Sequence, residues 1–320
     1  MSGVARFCLI LSLEDASFVA SGWIFVVKDI TLYSTLFLCL FPESYYLCEK
    51  ESSVGLICEG WLDGCWFKTY VMVEDGILFL NEVDSTNAYM RLLLDGAEET
   101  VQEGLMVCAE YQSQGRGQMD NRWESARGEN LLFSLLLYPT FVAPSDMFLI
   151  SQAVSLGVKD MLNDYCGLSD ISIKWPNDIY WRDKKIAGIL VENFISGHTI
   201  ESSIVGIGIN INQKEFFSDA PNPVSVTQIT GKEFNVDECA AVVRKAILDR
   251  YIYLLNAKLE QLRGDYFSAL YRREGYFPYR DAAGEFFAKI EEVLPQGTLI
   301  LSDTEGRRRE YSFKEVEFVI

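Results

Sequence analysis

The stretch KWPNDIYWRDKKIAGILVE, residues 174–192, decides how the chain is read. A β-branched run, ISIK, leads into Trp175-Pro176, and proline cannot continue a strand's hydrogen-bond ladder, so the strand stops there. Asn177 and Asp178 follow at a strand end, where polar side chains project into a site as readily as they build a plain turn. After the polar WRDKK the chain becomes apolar again over IAGILVE, a buried strand. Lys185 stands at its mouth. A lysine entering a buried strand calls for an anion to meet its ammonium, or else is an exposed strand-end residue like Lys184.

Strands continue outward from this point. KIAGILVENFI and TIESSIVGIGINI are two long strands joined by the polar tip SGHT, and GILFLNEV, LMVCAEY and NLLFSLLLYP are strands upstream. DSTNAYMRLLL reads as a helix with Asp84 or Ser85 at its N-cap. PSDMFLISQAVSLGVKDMLNDY reads as an amphipathic helix with proline in its first turn. A proline-containing loop runs from Gln213 to about Pro223, and VDECAAVVRKAILDRYIYLLNAKLEQL follows as one long helix. The body is therefore α+β, a mixed and largely antiparallel central sheet flanked by helices. In the last 45 or so residues EFFAKIEEV, GTLILSD and REYSFKEVEFVI are short strands between PQG and DTEG turns, and they predict a small SH3-like β-barrel. The expected division is 72–275 for the body, 276–320 for the tail and 1–71 for an N-terminal extension of a different composition.

That extension holds five of the eight cysteines and the tryptophans Trp23, Trp61 and Trp66. Its apolar runs are about a dozen residues long, short of the ~20 that span a bilayer, and Glu14, Asp15, Lys28 and Asp29 interrupt them. It lacks a signal peptide's basic start and clean apolar stretch, and no helix-turn-helix pattern is visible. Met72 directly precedes the first well-patterned segment, so residues 1–71 are either a real appendage or the product of a misplaced start codon.

Composition narrows the function. The net charge of -18 disfavours a general nucleic-acid binder. The eight cysteines, Cys8, Cys39, Cys48, Cys58, Cys65, Cys108, Cys166 and Cys239, include no CxxC pair, so they read as free thiols of a cytoplasmic protein and not as a zinc ribbon. His198 is the only histidine. Its place in the SGHT tip argues for an exposed hairpin residue and against a Ser-His-Asp triad.

Three stretches carry chemistry. In QSQGRGQMDNRW, Gln112 to Trp123, Gly115 and Gly117 let backbone N–H groups approach an anion, and Arg116 between them offers a planar, permanently charged fork. Trp123 can shield a ligand or stack on a base. The second stretch is the 174–192 segment. The third, GIGININ from Gly206 to Asn212, lacks a dinucleotide fingerprint's third glycine and leads into a loop instead of a helix, so a Rossmann site is rejected. Its glycines permit close approach of a ligand or a packed backbone. Asn210 and Asn212 are candidates to hydrogen-bond a nucleotide or to serve as turn residues.

STN (85–87), AEYQSQGRGQ…W (109–123), KWPNDIY (174–180), KKIAGILVE (184–192) and GIGININ (206–212) occur in the order found in biotin–protein ligases, and the tail resembles that family's small C-terminal β-module. The resemblance covers about residues 76–320. It implies a class II synthetase-like catalytic domain that activates biotin with ATP to biotinyl-5'-AMP and transfers it to a lysine of a biotin carboxyl carrier protein. Ser85, Thr86, Asn87 and Gln112 would then surround the ureido ring. Gly115, Arg116, Gly117, Gln118 and Lys185 would hold the carboxylate and then the adenylate phosphate. Trp123, Asn177, Asn210 and Asn212 would lie around the adenosine, with Asp178 where the acceptor lysine arrives. Arg116, Lys185 and Asp178 are thus the expected catalytic residues, with Mg²⁺ carried on the nucleotide phosphates. The implied protein is cytoplasmic, a monomer or homodimer, and partners neither nucleic acid nor membrane. Lipoate–protein ligase is the neighbouring alternative, opposed by KWPND and KIAGILVE. A non-catalytic biotin-responsive regulator is another, opposed by Arg116 and Lys185. Two departures stand out: Gln118 where some members have a second basic residue, and Asp120 where glycine is usual.

Overall fold

The computed structural model describes residues 17–20, 23–26, 45–50, 55–62, 65–74, 76–97, 100–117, 123–217 and 222–320. The strands are β1 (Ser17–Ala20), β2 (Trp23–Val26), β3 (Tyr45–Lys50), β4 (Gly55–Leu62), β5 (Cys65–Glu74), β6 (Ile77–Val83), β7 (Met106–Gln112), β8 (Leu131–Leu137), β9 (Ile171–Lys174), β10 (Asp178–Trp181), β11 (Lys184–Ser196) and β12 (Thr199–Ile209). The helices are α1 (Thr86–Gly96), α2 (Phe148–Asp164), α3 (Val226–Thr230), α4 (Val236–Leu255) and α5 (Leu259–Ser268). Strands β3 to β12 form one ten-stranded sheet in the order β3-β4-β5-β6-β7-β8-β12-β11-β10-β9. Only β6–β7 is parallel, and α1 supplies the crossover that a parallel pair needs. Strand β5 runs across the boundary expected at 71/72 and pairs with β6.

Side chains alternate across the sheet, so each strand serves two layers. Leu131, Phe133, Leu135 and Leu137 of β8 join Ile207, Ile209, Ile189 and Ala187 in the main core with α2, α4 and α5. Leu136 and Ile204 face the other way, onto Met90 of α1. Buried on both faces, β8 reads as an unbroken apolar run except for Ser134. The mixed, largely antiparallel sheet expected from the sequence is the one found. The single long helix after Val236 is instead two, broken at Asn256–Lys258. Ala257 there takes a left-handed φ of 52°, and Arg250 of α4 hydrogen-bonds Asp265 of α5 at 2.7 Å.

The tail adds β13 (Phe277–Asp281), β14 (Gly284–Val293), β15 (Leu299–Asp303), β16 (Arg308–Tyr311) and β17 (Glu317–Phe318), all antiparallel, in the order β16-β15-β14-β13-β17. This corrects one expectation. The sheet is consistent with an SH3-like module but is not a closed barrel, since its edge strands β16 and β17 do not pair with each other. It packs on the main core through Trp175, whose Nε1 donates to Gly297 O at 2.9 Å and whose ring lies 5.5 Å from Phe313.

Candidate functional site

The cleft lies on the α1 face of the sheet, and glycines make it. Gly188 of β11 is paired with Gly208 of β12, and Gly206 of β12 with Ser134 of β8. Missing Cβ atoms at these neighbouring positions leave a hollow in this face of the sheet. Two side chains fill part of it. A Cβ on Gly206 would collide with the Asn87 amide, and one on Gly208 would collide with the Trp123 indole. A Cβ on Gly188 would come within 2.8 Å of the same indole. The sequence had offered a ligand or a backbone as what these glycines admit; side chains are what they admit.

Around the hollow stand Ser85, Thr86, Asn87, Gln112, Arg116, Gly117, Trp123, Asn177, Asp178 and Lys185. The start of α1, the end of β7, the glycine-rich loop and the β10–β11 pair bring them together. Ser85 is the N-cap of α1, yet its hydroxyl makes no capping bond. Gln112, at the end of β7, reaches α1, where its Oε1 accepts from Thr86 N at 2.8 Å and from Thr86 Oγ1 at 3.1 Å. Trp123 N donates to Gly115 O at 3.0 Å and so pins the two ends of the glycine-rich loop. A Cβ on Gly115 would meet Trp123 O at 2.8 Å, which is why a glycine suits this crossing.

Lys185 meets the anion that its position demanded. Its Nζ lies 2.6 Å from Asp178 Oδ1, and the same ammonium sits 5.6 Å from the centre of the Trp123 ring. The backbone of Lys185 is clamped as well, donating to Asn222 O at 2.8 Å and accepting from Val224 N at 2.9 Å. Asn177 N–H₂ donates to Ile189 O at 2.7 Å, which holds the turn before β10 against β11. The indole Nε1 of Trp123 is buried and has no hydrogen-bond partner. Beside the cleft, Lys174 is half-buried, and desolvation lowers its pKa below the usual lysine value despite Asp178 nearby.

A model of the biotin/lipoate A/B protein ligase family matches residues 80–210. The bifunctional ligase/repressor BirA of Bacillus subtilis is 30% identical over 277 residues, covering 83% of this chain and 78% of that one. The chain belongs to the biotin–protein ligase family. Biotin–[acetyl-CoA-carboxylase] ligase of Paracoccus denitrificans is 29% identical over 234 residues, 72% of this chain and 95% of that one. A solved biotin protein ligase from Aquifex aeolicus, in complex with biotin and ATP, superposes with a TM-score of 0.63 at 27% identity, over 77% of this chain and all of that one.

Within this biotin–protein ligase fold, most of the site residues expected from the sequence converge on one cleft. Two do not line it. Asn212 gives both ends of its amide to the scaffold: Nδ2 donates to Phe234 O at 2.8 Å, and Oδ1 accepts from Phe234 N at 3.0 Å and Thr227 Oγ1 at 2.9 Å. Asn210 Nδ2 donates to Val224 O at 3.2 Å, and the residue is buried. Both amides bond the scaffold, and the Oδ1 of Asn210 is buried without a hydrogen-bond partner. Gln118 and Asp120 lie outside the described residues. His198 sits in the exposed tip between β11 and β12. Sequence reading missed Ser134 and Glu192. The only available signal was one hydroxyl in LLFSLLL and one carboxylate closing IAGILVE.

Proposed function

We propose that this chain activates biotin with ATP to biotinyl-5'-AMP, releasing pyrophosphate, and transfers the biotinyl group to a lysine of a biotin carboxyl carrier protein. The observation that carries the proposal is the pairing of Lys185 with Asp178 at the edge of a cleft whose far end is the hydrogen-bonding set Ser85, Thr86 and Gln112. One end suits a polar ring, and the other suits the reacting anions.

The reaction brings a carboxylate against the α-phosphate, and the two repel. Lys185 and Arg116 offset that repulsion and stabilise the charge that develops on the transferring phosphoryl group. Lys185 turns from Asp178 to the ligand as it binds. Asp178 is then free to take the proton that the acceptor ammonium must lose before its amine attacks the mixed anhydride and expels AMP. Trp123 covers the site and limits hydrolysis of the anhydride. Among the described residues no cluster of three or more acidic, histidine or cysteine side chains is placed to hold a metal. The carboxylate of Asp178, in the cleft, is paired to Lys185. The described residues form no Mg²⁺ cage, and we assign any Mg²⁺ to the nucleotide phosphates.

The proposal extends to a cytoplasmic monomer or homodimer with the carrier domain as its partner and no nucleic-acid role, consistent with the net charge of -18. Among the described residues no helix is long and apolar enough to cross a membrane. The test is purified protein with ATP, Mg²⁺ and either biotin or lipoate, scored by mass gain on a carrier domain. Modification with biotin alone supports the proposal. Modification with lipoate alone, or pyrophosphate release without mass gain, overturns it.

A further inference from the structure

The side chains at the polar end of the cleft belong to a hydrogen-bonded chain that ends outside it on a carboxylate. Asn87 Nδ2 donates to Glu192 Oε2 at 2.8 Å. The Ser134 hydroxyl donates to Asn87 Oδ1 at 2.5 Å and lies 2.7 Å from Thr86 Oγ1. Thr86 in turn bonds Gln112. Ser134 is fully buried and Asn87 is 6% exposed, so water does not complete either group.

Counting protons gives this chain a direction. A carboxylate only accepts, so Glu192 draws the Asn87 amide nitrogen toward itself and leaves Oδ1 facing Ser134. The single Ser134 proton is thereby committed to Asn87, and only lone pairs face Thr86. The Thr86 proton goes to Ser134 Oγ or Gln112 Oε1, both internal acceptors. What Thr86 retains for a ligand is an acceptor. Gln112, whose Oε1 is held inward by Thr86 N–H, retains its N–H₂ donor. The cleft thus offers an acceptor beside a donor, which complements a ligand head carrying N–H next to C=O, as a cyclic urea does.

We infer that Glu192 is a positioning residue that acts through Asn87 and Ser134 to fix the hydrogen-bond polarity of the cleft and so select a ureido-type head group. This rests on the biotin reading above. Glu192 does not line the cleft. Arg91, one helical turn beyond Asn87 on α1, holds its carboxylate at 3.6 Å. Gly206 leaves the space that Asn87 occupies.

The experiment measures biotin-dependent pyrophosphate release. Asn87→Asp places a carboxylate against Glu192 and removes the donor. The biotin KM should rise at least about tenfold, while kcat at saturating biotin and the KM for ATP stay within about twofold. Adding Glu192→Gln reverses that one bond: the introduced amide donates to the introduced carboxylate, which still accepts from Ser134. The double variant should bring the biotin KM back to within about threefold of the parent. Ser134→Ala, a small change that keeps the fold, should also raise the biotin KM selectively, and it stands as the test if Asn87→Asp is insoluble. The inference is overturned if the double variant is as poor as the single one, if kcat and the ATP KM move in step with the biotin KM, or if Ser134→Ala leaves the biotin KM unchanged. Absence of biotin turnover in the unmutated protein would instead overturn the proposed function, which separates the two failures.

Discussion

Lys185 Nζ and Asp178 Oδ1 stand 2.6 Å apart where β10 pairs with β11, and both side chains are largely withdrawn from water. Such a pair serves structure as well as chemistry, and the two roles separate by mutation. Lys185→Ala should reduce pyrophosphate release at least about tenfold, roughly 1.4 kcal/mol of transition-state stabilisation. It also strands a half-buried carboxylate and should lower Tm. Adding Asp178→Asn should recover Tm but not activity. Activity returning together with Tm would mean that Lys185 is only a structural partner.

Gly208 tests the seat of the indole. Its missing Cβ is what lets Trp123 lie against the sheet, so Gly208→Ala forces the ring outward. Overpacking of this kind costs about 1–3 kcal/mol, and a displaced Trp123 no longer covers the lysine end of the cleft. The expected outcome is red-shifted tryptophan emission with faster loss of biotinyl-adenylate to solvent. An unchanged spectrum and an unchanged adenylate lifetime would contradict this account of the glycine.

Lys185 was legible in the sequence because a charge at the mouth of an apolar run poses a physical question that only a partner answers. Strands β9, β11 and β12 were legible as strands for a related reason, since burial on one or both faces leaves its period in the residues. Ser134 was not legible. One hydroxyl in LLFSLLL gains its meaning from Gly206 across the strand pair and Asn87 on a helix, relationships that no local pattern records. Asn210 and Asn212 are ambiguous in sequence because an asparagine that builds a turn and one that binds a ligand look alike there, whereas the structure shows which backbone groups their amides hold. The helix break at Asn256–Lys258 was hidden by apolar spacing that continues through it. The four residues of β10 were hidden by the turn chemistry of Pro-Asn-Asp.

Asp303 predicts an acid-sensitive tail. Burial pushes its carboxyl up, but the backbone N–H of Arg307 and the guanidinium groups of Arg307 and Arg309 more than offset this and hold it well below the usual carboxylate range. A carboxyl whose folded pKa is depressed binds fewer protons folded than unfolded. Its contribution is therefore complete above about pH 4 and is lost as pH falls toward the folded value. Asp303→Asn should lower Tm at pH 7, and the gap between variant and parent should shrink as pH falls below about 4. A gap that stays constant or widens with acid would show that the carboxylate charge is not what stabilises this turn.

The N-terminal boundary yields the last prediction. Every residue of the cleft lies at or beyond Ser85, so a chain starting at Met72 keeps the whole proposed site. Such a chain also loses β3, β4 and most of β5, and of the four β5 residues paired with β6 it keeps Met72, Val73 and Glu74, so the sheet ends on a three-residue stub in place of a covered strand. An uncovered edge presents unpaired N–H and C=O groups to other molecules. The two facts give different expectations for two measurements. At low concentration the Met72 chain should form biotinyl-adenylate at a rate within about twofold of full length, since the cleft and its α1–β8–β12 floor are intact. At higher concentration it should associate or precipitate sooner, as scattering or sedimentation would record. A large fall in the dilute rate would show that residues 1–71 support the catalytic fold. Equal rates with equal solubility would show that the shortened sheet edge needs no further cover.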